Sequence, residues 1–209
     1  MTIVVFDIGK VLVPEGDRVP RLVNFITECG LPVDTEALMN AYWAHRDAYD
    51  LGMSDEEYWP KVLLDAGLAP TEIEHVDSAA LGALDGERNS ATTSETSDFL
   101  AELHAAEVPV ALLSNAPHSM ARAVRTSPWA QEIAAQVFSS EVGVAKPSQE
   151  IFRIAEREIE KSFGPHKRED VVFFDDRPVN IEGAQAFGWQ GQLWKGVGPA
   201  RTVLANVLT

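Results

Sequence analysis

Four polar segments, far apart along the chain, carry the residue types that handle a charged ligand: Asp7, Ser114-Asn115, Lys146 and Asp175-Asp176. If they converge, three carboxylates meet one ammonium. Like charges about 4 Å apart cost about 4 kcal/mol per pair at an effective dielectric of 20, and a phosphate monoester would add a charge of about −1.5 to −2. Such a site needs a divalent cation, and carboxylate oxygens with phosphate and water are the donor set that Mg²⁺ prefers. One carboxylate can then attack phosphorus in line. Lys146 would neutralise charge on the equatorial oxygens, while Ser114 and Asn115 donate hydrogen bonds to the same phosphoryl group. Singly, each residue has a plainer explanation: a strand-end Asp is usually a turn residue, an Asp pair a solvated helix cap, a lone Lys a surface charge. Only convergence makes the chemistry.

Convergence requires a particular scaffold. Residues 3–6 are an uninterrupted β-branched and aromatic run, which reads as a strand buried on both faces. Further runs at 108–113, near 137–138 and at 171–174 read as three more, and Gln192-Leu193-Trp194 as a weak fifth. Helical patterns starting near 118 and spanning about 148–160 separate the later runs, which predicts right-handed crossovers and an open parallel α/β sheet with helices on both faces. Ligands bind such sheets at the carboxyl ends of the strands, where Asp7, Ser114-Asn115 and Asp175-Asp176 fall.

Between the first two strands the period is helical throughout. Gly30-Leu31-Pro32, Leu51-Gly52-Met53-Ser54 and Gly67-Leu68-Ala69-Pro70 act as stops, so residues 18–84 read as four consecutive helices. Ser54 with Glu57 and Thr71 with Glu74 are candidate capping boxes, and Thr93 or Ser94 caps the next helix. The expected division is a core of residues 1–14 and 91–209 with an all-helical unit at 15–90. Pro14-Glu15-Gly16-Asp17 and a Ser/Thr-rich return would serve as hinges for a lid.

A chain of 209 residues with 45% hydrophobic and 23% charged residues folds as one domain, or one domain with an insert. The formal net charge is −15, from 17 basic and 32 acidic residues, which argues against nucleic acid and anionic membrane surfaces as partners. Cys29 is the single cysteine and is expected to pack as an apolar residue. No apolar run is long enough to span a bilayer, and the start carries no basic segment, so a cytoplasmic protein is expected; the expected partner is a small molecule, and the chain is expected as a monomer or homodimer.

In order, Val5-Phe6-Asp7-Ile8-Gly9-Lys10-Val11, Leu113-Ser114-Asn115, Ala145-Lys146-Pro147 and Phe173-Phe174-Asp175-Asp176 with Asn180-Ile181-Glu182-Gly183-Ala184 resemble the four motifs of the haloacid dehalogenase superfamily. The similarity is to its phosphatase branch with a helical cap after the first strand. It implies a Rossmann-like core and Mg²⁺-dependent hydrolysis of a small phosphorylated metabolite through an aspartyl-phosphate on Asp7. It also implies a metal held by Asp7, the Gly9 carbonyl and Asp176, with Asp175 behind them or acting through water, and a cap that selects the leaving group.

One departure stands out. Phosphatases of this kind usually carry a second Asp two residues after the nucleophile as general acid and base, and here that residue is Gly9. Such a group is worth about 10²- to 10⁴-fold in rate, so its loss slows turnover without removing the nucleophile. Lys10, Asp17, His45 and Asp47 are possible substitutes, though Lys10 reads first as solvent-facing or carboxylate-paired and His45 as a packed helix residue. Trp43 and Arg46 could face the substrate. Two other functions remain open: a catalytically silent phosphate-ligand-binding protein, and a 2-haloacid dehalogenase, which also lacks the second Asp but does not usually keep the pair corresponding to Asp175-Asp176.

Overall fold

A computed structural model describes residues 1–16 and 18–208. Among these the chain runs through β1 (Ile3–Phe6) and then six helices: α1 (Arg18–Glu28), α2 (Thr35–Ala44), α3 (Arg46–Asp50), α4 (Asp55–Asp65), α5 (Pro70–Ile73) and α6 (Ser78–Asn89). There follow α7 (Ser94–Ala105), β2 (Val110–Ser114), α8 (His118–Thr126), β3 (Ala135–Phe138), α9 (Ser139–Val142) and α10 (Gln149–Phe163). A 3₁₀ turn at Arg168–Asp170 leads to β4 (Val171–Asp175), α11 (Pro178–Phe187), β5 (Gln190–Leu193) and α12 (Val197–Val203). No described helix is long and apolar enough to cross a membrane.

The five strands form one parallel sheet in the order β3-β2-β1-β4-β5. Alternation along each strand sends neighbouring side chains to opposite faces. Val4, Phe6, Leu112, Val172 and Phe174 pack against α7, α8 and α12, with Phe6 stacked on Phe174 at 5.3 Å. Ile3, Val5, Leu113, Val171 and Phe173 pack against α10 and α11 through Phe152, Ile159, Ala184 and Phe187. Each buried large side chain contributes on the order of 1.5–3 kcal/mol, and both faces are covered, which is why these runs are continuously apolar. The chain leaves β1 for β2 on one side and reaches β4 on the other. The crevice at this reversal opens at the carboxyl ends of β1 and β4.

Helices α1–α6 enclose their own cluster, with Leu22, Ile26, Tyr42, Tyr49, Tyr58, Trp59, Val62 and Leu81 buried together. Six helices stand where four are expected. The second breaks at His45, and the fourth becomes α5 and α6 because Asp77 caps α6 by accepting the Ala80 N–H at 3.0 Å. The Ser54–Glu57 capping box forms. Thr71–Glu74 does not: Glu72 instead accepts the Ala69 N–H at 2.7 Å, with Pro70 opening the helix. Cys29 is exposed, which corrects the packing expected of it. Helix α1 ends at Glu28 and Gly30 turns left-handed at φ +82, closing Leu31 N–H onto Ile26 O at 3.3 Å; Leu31 takes the inward position instead.

This helical segment docks on the core along α8. A Cβ on Gly86 of α6 would lie 2.5 Å from the Ser119 carbonyl oxygen, so only glycine allows that approach. Polar contacts stitch the same seam: Tyr49 meets Ser119 Oγ at 2.9 Å and also donates to Asp55, and Arg122 reaches Asp55 Oδ2 at 3.1 Å.

Candidate active site

Asp7 follows β1, with its N–H donating to Phe174 O at 2.9 Å, so the ladder to β4 continues to this carboxylate. The carboxylate is buried. Ser114, the last residue of β2, donates to Asp7 Oδ1 at 2.8 Å. Lys146 Nζ contacts Asp7 Oδ1 at 2.9 Å and donates to Asp175 Oδ2 at 2.6 Å and to Leu113 O at 2.8 Å. One ammonium thereby spans residues from β1, β2 and β4.

Asp175 is fully buried and also accepts from the Arg177 N–H at 2.8 Å and from Asn180 Nδ2 at 3.0 Å to each oxygen. It is the anchored carboxylate of the group. Asp176 is partly exposed, and oxygen atoms of Asp7, Asp175 and Asp176 all lie within 4.8 Å of one another, the acidic grouping of that compactness found among the described residues. Burial, with Asp175 adding to it, pushes Asp176 above the ordinary carboxylate value. Burial likewise raises Asp7, against the pull of Lys146. For Lys146, burial would lower the pKa, but Asp7 and Asp175 more than reverse it and hold the ammonium charged.

The donor chemistry fits a hard cation. The acids offer oxygen donors crowded against one another, and Asn180 Oδ1, on the wall of the same pocket, is buried with no hydrogen-bond partner among the described residues. Gly9 lines this pocket too; the loop bonds after Ile8 run to Ile8 O (2.8 to 3.2 Å) and from Lys10 N–H to Val13 O (2.7 Å), and none takes the Gly9 carbonyl.

Asn115 has a contact that the sequence does not announce. Its Oδ1 accepts the Lys146 N–H at 2.8 Å and its Nδ2 donates to Lys146 O at 3.0 Å, so the amide clamps the Lys146 backbone while Asn115 lines the pocket.

The pocket above these residues measures about 480 Å³, within the range of small-molecule sites. Its far wall comes from the helical segment and includes Trp43, Arg46, Asp47 and Asp50. Arg46 is buried between Asp50 Oδ1 at 2.7 Å and Asp85 Oδ2 at 3.3 Å, and it also donates to Tyr42. Burial opposes its charge, and Asp50, Tyr42 and Asp85 hold it well above the ordinary value. His45 turns to Asp65 at 2.7 Å and does not line the pocket. Lys10 lines it and pairs with Glu15 at 3.0 Å. Asp17 lies outside the described residues. Asp50 is a pocket residue that its pattern does not mark, since it ends a short helix in an otherwise ordinary amphipathic stretch; Asn180 belongs to the fourth motif, and its contact with Asp175 gives it a role that the motif alone does not. A larger groove of about 910 Å³ lies at the other end of the sheet around Val108, Pro109 and Trp129, away from the acidic cluster.

The comparisons agree with this fold. The structure resembles a 2-haloacid dehalogenase from Pseudomonas syringae pv. tomato DC3000, at 17% identity over 99% of both chains and a TM-score of 0.66. It also resembles a haloacid dehalogenase family enzyme of Bacteroides thetaiotaomicron solved with magnesium and inorganic phosphate, at 18% identity over 93% of both chains and a TM-score of 0.62. A HAD-like family hydrolase from Porphyromonas gingivalis matches at 20% identity over 98% of both chains, with a TM-score of 0.62. No curated protein matches the sequence. The family model for haloacid dehalogenase-like hydrolases spans residues 1–188, and the chain belongs to that family.

Proposed function

We infer that this hydrolase cleaves the phosphate monoester of a small metabolite, with Mg²⁺ as its metal and Asp7 as nucleophile. The observation that carries the reading is the crowding of Asp7, Asp175 and Asp176 oxygens within 4.8 Å of one another. A reaction at carbon with a neutral or monoanionic substrate gives no reason to retain that charge. The Bacteroides relative solved with magnesium and inorganic phosphate is in keeping with it.

Asp7, Asp176 and the Gly9 carbonyl would hold the ion, with Asp175 fixed behind them by Lys146 and Asn180. Bound there, it supplies Lewis-acid neutralisation of the phosphoryl oxygens. Asp7 Oδ2, the oxygen opposite the one held by Ser114 and Lys146, attacks phosphorus and the ester oxygen departs. Water then attacks the same phosphorus, releasing phosphate and restoring the carboxylate. Lys146 balances charge on the phosphoryl oxygens in both halves, and Ser114 fixes the rotamer of the nucleophile. Asn115 acts through the backbone of Lys146. Residues 15–90 serve as the cap whose wall selects the leaving group.

The test is hydrolysis of p-nitrophenyl phosphate with added Mg²⁺. Activity is expected to vanish with chelator and in Asp7→Asn. Chloride release from 2-chloropropionate in metal-free buffer would instead identify a dehalogenase. Tight phosphate-ester binding without turnover across a metabolite panel would identify a silent binder.

A further inference from the structure

Gly9 leaves open space where a second acid would stand: a Cβ built there meets nothing within 4 Å. The wall contributed by the helical segment carries two carboxylates, Asp47 and Asp50. Asp47 is exposed and has no fixed partner among the described contacts, whereas Asp50 is held twice over. Arg46 Nε donates to Asp50 Oδ1 at 2.7 Å, so that bond does not engage Oδ2. The Asp50 carbonyl accepts from Ser139 Oγ at 2.5 Å, and that hydroxyl oxygen accepts the Ala116 N–H at 2.9 Å. Two hydrogen bonds therefore tie Asp50 to the loop that continues from Ser114 and Asn115. Of the other acids on this pocket, Glu15 is paired with Lys10, and Asp7 and Asp176 belong to the acidic cluster with the buried Asp175.

We propose that Asp50 is the general acid and base of this site, supplied by the helical segment in place of the side chain that Gly9 lacks. The inference rests on the phosphoryl-transfer reading above. In the first half, the bond from Asp7 to phosphorus forms, the bond from phosphorus to the ester oxygen breaks, and the proton of the Asp50 carboxylic acid passes to the departing oxygen. In the second, water attacks phosphorus, its proton returns to the Asp50 carboxylate, and the Asp7–phosphorus bond breaks to give inorganic phosphate. Protons balance over the cycle with no further reactant.

The surroundings suit a shuttle. Arg46 and Asp47 flank Asp50 on α3, Asp85 faces it from α6, Tyr42 of α2 and Tyr58 of α4 surround Arg46, and His118 of α8 lies near Gly52. Burial pushes the Asp50 carboxyl up to about 6 while Arg46 pulls against it. A carboxyl poised there can both give and take a proton near neutrality.

The experiment compares Asp50→Asn with the unmodified enzyme on two esters: p-nitrophenyl phosphate, whose leaving group needs little protonation, and the alkyl phosphate that the unmodified enzyme turns over fastest. We expect kcat for the alkyl ester to fall roughly 10²-fold or more while the aryl ester falls far less. The limb near pH 6 in the alkyl-ester profile should also disappear. Asp50→Asn together with Gly9→Asp should recover alkyl-ester turnover. Should Asp50→Asn fail to fold, Ser139→Ala, which frees the Asp50 backbone without changing its side chain, should show the same split between esters to a smaller degree. Equal loss on both esters, in either variant, would overturn the role of Asp50 and leave the phosphatase reading standing. An unmodified enzyme that hydrolyses neither ester would overturn both.

Discussion

The Lys146 ammonium lies 2.9 Å from Asp7 Oδ1, and it reaches Asp175 Oδ2 at 2.6 Å from the same position. The carboxylate at the end of β1 and the anchored carboxylate at the end of β4 are thus joined by one buried cation. Replacing Lys146 with Met leaves two buried acids without their counter-charge, a change that costs about 3–5 kcal/mol. We expect a correspondingly lower urea midpoint and loss of turnover. Added Mg²⁺ should restore part of the stability but not the activity.

Asn115→Ala separates positioning from direct contact. The side chain bonds both the N–H and the carbonyl of Lys146, so its loss should lower kcat while KM for p-nitrophenyl phosphate moves little. A pure rise in KM would mean that the amide binds substrate directly.

Gly9→Asp should be accepted without strain, because the position is open and its backbone is not in the left-handed region. The fold should keep its unfolding temperature within a few degrees, a change of under about 1 kcal/mol, and turnover of alkyl phosphates should rise. A fall on every ester would show that this carboxylate competes with the metal site.

The Asp50 carboxyl, raised to about 6 from an ordinary value near 3.8, makes stability depend on pH with a definite sign. The folded protein holds this proton to higher pH than the unfolded chain does. The contribution of Asp50 is therefore greatest below about pH 4, declines as pH rises to about 6 and stays low above that, a change on the order of 2–3 kcal/mol. In Asp50→Asn this segment of the stability curve should flatten, as measured by urea unfolding across that range. An unchanged slope would place the titration elsewhere.

Much of this arrangement is legible from the sequence, and the reason is local. Strands buried on both faces must be continuously apolar, so residues 3–6 and 171–174 announce themselves, and the polar residues that follow must stand at the sheet's carboxyl edge. β5 is blurred because Gln190, Gly191 and Gln192 lack strand character. Gly191 is there because α11 crosses so closely that a Cβ would sit 2.8 Å from Ile181 O. What stays hidden is whatever depends on contacts between distant segments. The amide of Asn115 is spent on Lys146, and Asp50 is pinned by Ser139, 89 residues away. Cys29 turns outward through a capping detail at Gly30 that apolar spacing does not encode.

If Asp7 takes the phosphoryl group in a reaction that needs a divalent ion, rapid acid quench during turnover of a phosphate ester, followed by mass mapping of the peptides, traps that intermediate. Phosphate is expected on the peptide bearing Asp7 when Mg²⁺ is present, and on none when it is chelated or when Asp7 is Asn. An unmodified Asp7 during sustained, Mg²⁺-dependent turnover, or a phosphoryl group trapped on another residue, would contradict it.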